Sequence, residues 1–418
     1  MKDKKVLVIG GGGREHAIVD ALSRSAVVTE IFCAPGNAGI GKQAVDVPIK
    51  DNDIQGLKQF AIDNSIDLTV VGPEAALAEG IADEFRAAGL KIFGHTASAA
   101  RIETSKEFAK ELMKKYDVPT AGYRSFTDFE EALAYVGSHP FPAVLKYDGL
   151  AAGKGVVIAK DMPEAEAALK DMLLDKRFGK GKVVVEEYLS GPEFSFMCFV
   201  SGGDVCPMPL AQDHKRAFDN DLGPNTGGMG AYTGLPFISG EDWQYAYDNI
   251  MCKVASAMVA EGCPLTGVLY GGLMKTAEGI KVIEFNARFG DPETEVVLPL
   301  LKSDIYDLFE AVAEGRACPD PVWDEAVTMG VVLASKGYPG SYEKGYEITG
   351  CEEVDGIIYH MGTKLSDGRL LTSGGRVMMC VIKSDSLESA RSKVYQEISK
   401  ISCQNLFYRK DIAHIAFE

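Results

Sequence analysis

Four consecutive glycines, Gly10 to Gly13, separate a short apolar run (5–9, KVLVI) from a stretch of helical periodicity at 15–23. A strand that breaks on glycines and feeds a helix is the opening unit of a parallel α/β domain, because neighbouring parallel strands need crossover connections. The rhythm continues: strands at 30–34, 68–71 and 91–93 alternate with helices at 54–64 and 76–88. The expected N-terminal unit, residues 1–103, is therefore a parallel, Rossmann-like α/β domain with ligand groups where its strands end.

A different texture follows. Residues 101–116 have a helical period, with Thr104 as the expected N-cap. Strands at 141–146 and 156–159 flank a glycine-rich loop at 147–155, and a helix over 163–174 leads to a strand at 182–187. The polar, Gly- and Asn-rich segment 211–236 reads as one long loop, a length that is usually functional or disordered. A helix at 246–260 precedes a strand pair, 266–275 with 279–287. A boundary is expected near 319–323. Beyond it, strands at 328–335 and 377–382, a Gly/Tyr-rich stretch at 337–346 and a helix at 384–401 suggest a small α+β unit, 324–418. The fold class is α/β and α+β, multidomain.

Composition narrows the function. The chain has 418 residues, enough for two to four domains, with 46% hydrophobic and 25% charged residues, as in soluble globular proteins. Its 43 Lys+Arg against 60 Asp+Glu give a net charge of −17, which excludes nucleic acid or anionic membrane as whole-surface partners. A phosphorylated ligand would need a local basic patch. The nine cysteines are scattered without a CxxC, and the six histidines form no HxxxH, so neither a zinc site nor a disulfide framework is expected. The N-terminus is too weakly apolar for a signal peptide, and no run suits a membrane span. A reducing, cytoplasmic compartment is expected.

Three segments carry chemistry. The first glycine turn fails the dinucleotide fingerprint: the third glycine position is Glu15 or His16, and the second strand ends Cys33-Ala34-Pro35 without an acid. A phosphate-bearing small molecule fits the turn better than NAD, although glycines serving only a tight turn would look the same. His16 reads as a helix-packing residue. The second glycine loop, 146–155, is not a Walker motif, since Asp148 stands where the first Gly belongs and Gly155 where Ser/Thr belongs. It reads as a hairpin whose small-residue tip folds over a triphosphate, with Lys146 directed at phosphate, or else as a bare surface hairpin. Glu284 and Asn286, two apart on one strand, share a face and could offer oxygen ligands to Mg²⁺ beside Arg288, or form a polar edge.

Taken in order, these pieces resemble the ATP-grasp superfamily and, within it, the phosphoribosylamine–glycine ligase (glycinamide ribonucleotide synthetase) family. The resemblance runs nearly end to end. It rests on GGGREHA at 11–17, APGNAG at 34–39, VGPEA at 71–75, LKYDGLAAGKGVV at 145–157, DHKR at 213–216, GPNTGGMGAY at 223–232 and IEFNARFGDPE at 283–293. It implies a central ATP-grasp domain, 104–323, with a hinged β-rich lid at about 120–190. The implied reaction joins glycine to 5-phospho-β-D-ribosylamine through glycyl phosphate, with ATP as co-substrate and Mg²⁺ or Mn²⁺ as the metal, and no nucleic acid or membrane partner. The enzyme would be a monomer or dimer.

The resemblance also implies roles. Lys106 and Lys146 would bracket the α- and β-phosphates, and Gly149, Gly153, Lys154 and Gly155 would close over the γ-phosphate. Glu186, Glu187 and Leu189 would meet adenine, and Glu193 the ribose. Glu284 and Asn286 would hold the metal. Lys146, Asp213, Lys215 and Arg288 would serve glycine and the acyl phosphate, with Asn225, Thr226, Gly227 and Asp291 lining that region. The ribosylamine phosphate would lie near Gly12, Gly13, Asn37, Pro73 and Glu74. His95 and Asn220 depart from the family pattern, which usually has Pro and Gly there. Rival readings are another ATP-grasp carboxylate–amine ligase of nucleotide metabolism, a dehydrogenase and a non-catalytic nucleotide sensor.

Overall fold

The computed structural model describes residues 3–149, 155–179 and 181–417. Its first unit is a five-stranded parallel sheet in the order Val45–Asp46, Val28–Pro35, Lys4–Gly10, Leu68–Val71, Ile92–Phe93. Val6 to Ile9 are completely buried on both faces of the central strand, the pattern of a sheet covered by helices on each side. Strand order reverses between Lys4–Gly10 and Leu68–Val71. The crevice at that switch point is therefore bounded by Gly10–Gly13 on one side and Gly72-Pro73-Glu74 on the other.

Two helix expectations need correction. The helix expected at 76–88 is two helices, Glu74–Ala78 and Ile81–Ala87, because Gly80 takes a left-handed conformation (φ +84°) that ends one and starts the next. The helix expected at 101–116 is likewise Ala97–Thr104 followed by Lys106–Lys115. Ser105, not Thr104, is the N-cap; it adopts extended backbone and its hydroxyl accepts the Phe108 N–H at 3.2 Å. The break puts Lys106 at the first residue of the new helix, facing the lid hairpin.

The lid is a four-stranded antiparallel sheet in the order Tyr123–Phe126, Val183–Glu187, Ala143–Tyr147, Val156–Ala159. Helices Phe129–Gly137 and Met162–Leu169 cover it, and its apolar side chains (Phe126, Leu145, Leu169, Val183 and neighbours) form a core of their own. A separate core allows the lid to behave as a body attached to the rest. The tip of the 143–159 hairpin, with Gly153 and Lys154, lies outside the described residues.

A ten-stranded sheet carries the rest. Strands Glu193–Ser201, Thr266–Thr276 and Gly279–Asn286 pair antiparallel, with Gly272 opposite Glu284 and Tyr270 opposite Asn286. The segment 211–236 is not one long loop. It holds strands Ala211–Asp213 and Gly230–Thr233 in the main sheet, and a hairpin of Arg216–Phe218 with Leu222–Asn225. The hairpin turns at Asn220 and Asp221, both left-handed (φ 58° and 51°), and asparagine is one of the few residues other than glycine that tolerates this. That accounts for Asn220 standing where the family pattern has Gly. The C-terminal strands Val327–Ser335 and Arg376–Ser384 continue the same sheet through pairing of Gly230–Thr233 with Val327–Ser335. The small α+β unit is thus joined to the centre by backbone hydrogen bonds.

His95 also acquires a physical account. Completely buried, it joins the first unit to the main sheet: the Thr266 N–H donates to Nδ1 at 2.9 Å, so Nε2 carries the proton and donates to the Val268 carbonyl at 2.9 Å. Burial lowers its pKa to about 4, keeping the ring neutral. Among the described residues no helix is long and apolar enough to cross a membrane.

Candidate active site

The first unit, the lid and the main sheet meet around a cleft of about 480 Å³. Its walls bring together most of the residues singled out from the sequence: Glu74 from the first unit; Lys146, Glu186, Glu187 and Leu189 from the lid; Glu193, Asp213, Lys215, Asn225, Thr226, Gly227, Glu284, Asn286, Arg288 and Asp291 from the main sheet and its loops. A smaller adjoining recess adds Lys106, Gly149 and Gly155.

Glu284 sits at the electrostatic centre. Burial would raise its pKa, but Lys146, Lys215, Lys106 and Arg288 together hold it below the ordinary carboxylate range. Asn286 lies two residues on along the same strand, so both side chains leave on one face. An ionised carboxylate with an amide oxygen is a hard donor pair that suits Mg²⁺. Arg288 is itself anchored: Nε is 3.5 Å from Glu74, a guanidinium nitrogen is 3.2 Å from Glu103, and those carboxylates keep its charge fixed against burial.

On the lid side, Lys146 is buried, 3.0 Å from a Glu186 oxygen, and donates to the Ile283 carbonyl at 2.9 Å. Lys106 donates to the Gly149 carbonyl at 3.2 Å, across the start of the hairpin loop. Burial lowers its pKa, against the pull of Glu284, Asp148 and Glu103. On the opposite wall Lys215 pairs with Asp213 at 2.7 Å and more loosely with Glu193 at 3.5 Å. Burial opposes its charge, yet Asp213 holds the ammonium well above its usual range.

Several expected contacts are filled from within. The Gly12 N–H already donates to the Glu15 carboxylate at 2.7 Å at the start of Gly13–Ser23, and Gly13 packs against Glu295 and Met361. Glu15 thus takes one of the N–H groups of the turn. Asn37 is similarly saturated: its amide donates to the carbonyls of Gly11 and His360, and its oxygen accepts from Gly39 and Ile40. Its side chain has no polar valence left for a ligand. Pro73 is the N-cap of Glu74–Ala78, which leaves Glu74 as the crevice residue that reaches the cleft. At the strand end expected to meet adenine, the Glu187 N–H donates to the Gly122 carbonyl, and the Glu186 side chain is taken by lysines. Thr226 is a loop brace whose hydroxyl donates to the Lys215 carbonyl at 2.8 Å.

Other residues enter that sequence patterns did not single out. Lys110 shares Glu186 with Lys146 at 2.9 Å. Its signal was available, one helical turn after Lys106 on the same face. Arg14 reaches the cleft from the first helix, paired with Glu15 at 2.6 Å. Glu293 accepts from Ser195 and Tyr270 at 2.7 and 2.8 Å, and burial raises its pKa. Arg376 arrives from a strand 85 residues beyond Asp291, a juxtaposition no local pattern encodes.

A lysine-lined cleft between a β-rich lid and a carboxylate–amide strand defines an ATP-grasp architecture. Solved structures agree at the level of fold: the biotin carboxylase domain of Hydrogenobacter thermophilus 2-oxoglutarate carboxylase, in complex with MgADP, ADP and bicarbonate, aligns at a TM-score of 0.74 and 17% identity, covering 98% of this chain and 92% of that one. The chain belongs to the phosphoribosylglycinamide synthetase family, whose N domain matches residues 4–103, ATP-grasp (A) domain 104–294 and C domain 328–415. Phosphoribosylamine–glycine ligase of Halalkalibacterium halodurans is 52% identical over 97% of this chain and 96% of that protein; the Caldanaerobacter subterraneus enzyme of that name is 50% identical over 98% and 99%. The crystal structure of the Thermotoga maritima enzyme aligns with a TM-score of 0.85 at 33% identity, covering 98% and 100%.

Proposed function

We infer that this chain is an ATP-dependent ligase of purine biosynthesis that joins glycine to 5-phospho-β-D-ribosylamine, giving glycinamide ribonucleotide, ADP and phosphate. The observation that carries the reading is Glu284 ringed by Lys146, Lys215, Lys106 and Arg288. In a chain of net charge −17 these cations are gathered at one place, most of them held there by carboxylates, where two phosphorylated substrates require them. The reaction calls for no enzyme nucleophile. The glycine carboxylate attacks the γ-phosphoryl group, ADP leaves, and the ribosylamine nitrogen displaces phosphate from glycyl phosphate. Catalysis then rests on positioning and on neutralising charge.

In this reading Lys106 and Lys146 receive the phosphates under the 143–159 hairpin, whose closure keeps water from the acyl phosphate. Leu189 and Glu193 mark the nucleoside end. Asp213, Lys215 and Arg288 serve the carboxylate and acyl phosphate, with Asn225 and Asp291 beside them. Glu74, with the wall of the switch-point crevice, meets the ribosylamine. Glu284 and Asn286 would hold Mg²⁺ or Mn²⁺, and the donor set fits, since an ionised carboxylate and an amide oxygen are both hard ligands. Such an ion would supply positive charge to offset that of the transferring phosphoryl group. The proposed compartment is the cytoplasm.

The test is ADP release with ribosylamine generated in situ, with and without glycine. Glycine-dependent ADP release is expected. Nucleotide binding without glycine-dependent turnover would point to a sensor, and turnover with bicarbonate or formate in place of glycine to a different ligase.

A further inference from the structure

Arg376 opens the strand Arg376–Ser384 in the C-terminal unit, yet its guanidinium lines the cleft. One nitrogen donates to the Gly227 carbonyl at 2.6 Å and to the Asp291 carbonyl at 3.1 Å; another lies 2.9 Å from the Asp291 carboxylate. The two loops so joined, 225–228 and 288–293, follow strands Leu222–Asn225 and Gly279–Asn286, which do not pair with each other. Their approach is close. A Cβ on Gly227 would sit 3.0 Å from the guanidinium carbon, and one on Gly228 would sit 2.4 Å from Pro292. From the same C-terminal unit, the Tyr338 hydroxyl accepts the Gly227 N–H at 3.0 Å.

We propose that Arg376 is a positioning residue that makes the C-terminal unit a working part of the cleft, fixing the 225–228 loop against Asp291 on the wall that receives the amine and carboxylate substrates. The assignment rests on the ligase reading. A planar donor fork that serves two loops at once cannot be replaced by the single point of a lysine ammonium. The nucleotide side of the cleft, at Lys106, Lys146 and Glu186, makes no contact with Arg376. Loss of the fork should therefore act on the non-nucleotide substrates alone.

The experiment compares the unmodified protein with Arg376→Ala, Arg376→Gln and Arg376→Lys in the coupled ADP assay, with ATP binding measured separately by calorimetry. The expected result is a KM for glycine or ribosylamine raised about ten- to a hundredfold in all three variants, as loss of charged hydrogen bonds implies. ATP affinity should stay unchanged, and added guanidinium ion should restore turnover in Arg376→Ala but not in Arg376→Lys. Unchanged KM values beside normal wild-type turnover would overturn the assignment alone. So would ATP affinity falling in step with the substrates, or full activity in Arg376→Lys. Absence of glycine-dependent ADP release in the unmodified protein would overturn the ligase reading and this assignment with it.

Discussion

Lys146 and Glu186 form an ion pair at 3.0 Å with both side chains almost fully buried, and the same carboxylate takes Lys110 at 2.9 Å. Two ammonium groups, one from the lid and one from the Lys106–Lys115 helix, thus share a single carboxylate beside the cleft. A buried charge is tolerated only while partnered, so the arrangement predicts opposite outcomes for its members. Lys146→Met leaves Glu186 with one charged partner, Lys110 on its other oxygen. The fold should hold, while kcat/KM falls by two to three orders of magnitude, since a preorganised donor is worth about 3–4 kcal/mol in the transition state. Glu186→Gln strands two ammonium groups and should destabilise the protein by about 3–5 kcal/mol. Thermal denaturation beside steady-state kinetics reads both; near-normal turnover in Lys146→Met would remove it from the site.

The metal site makes a separate prediction. Glu284→Gln keeps the shape of the side chain and removes its charge, so the Mg²⁺ concentration for half-maximal rate should rise about tenfold or more, with glycine KM much less affected. Mn²⁺ binding in the presence of ADP, followed by paramagnetic resonance, reads the site without turnover. An unchanged titration would show that Glu284 holds no metal.

The α/β rhythm of residues 5–93 was legible because apolar runs of three to five residues alternate with helical periods, whereas the switch-point crevice depends on a strand order that only the folded sheet sets. Glu284 and Asn286 were legible for the same kind of reason: their spacing fixes a shared face whatever surrounds them. What stayed hidden depends on partners far away in the chain. Neither the hold of Glu15 on the Gly12 N–H nor the saturation of Asn37 shows in glycine content, because both are set by side chains folding back. The strands within 211–236 were hidden because three or four residues carry no periodicity, and one of them, Gly230–Thr233, is held by a partner almost a hundred residues away in the C-terminal unit. Arg376, from that same unit, is the extreme case.

Gly72 tests the crevice wall. An added Cβ there would fall 1.9 Å from a Glu15 carboxylate oxygen, the one that pairs with Arg14 at 2.6 Å. Gly72→Ala must displace Glu15, which uncaps the Gly12 N–H and releases Arg14 from its place in the cleft. A lost cap costs about 1 kcal/mol. The larger effect should be on the ribosylamine KM, with ATP affinity unchanged in calorimetry. Normal KM values for all three substrates would show that this wall touches none of them.

His95 gives the pH dependence its sign. Its folded pKa of about 4 lies below the unfolded value near 6.5, so the unfolded chain takes the proton first as pH falls. The stability held by neutral His95 is therefore complete above about pH 6.5 and is lost progressively on acidification toward pH 4. His16 and His360, lowered by burial to about 4 and about 3, act in the same direction. For His95 alone, linkage over that window amounts to about 3 kcal/mol. His95→Gln can still accept from Thr266 and donate to Val268 but does not titrate, so its stability should fall less steeply between about pH 6.5 and pH 4. Urea denaturation of both proteins across that range measures the difference. Parallel pH profiles would mean that the junction between the first unit and the main sheet opens before His95 takes its proton.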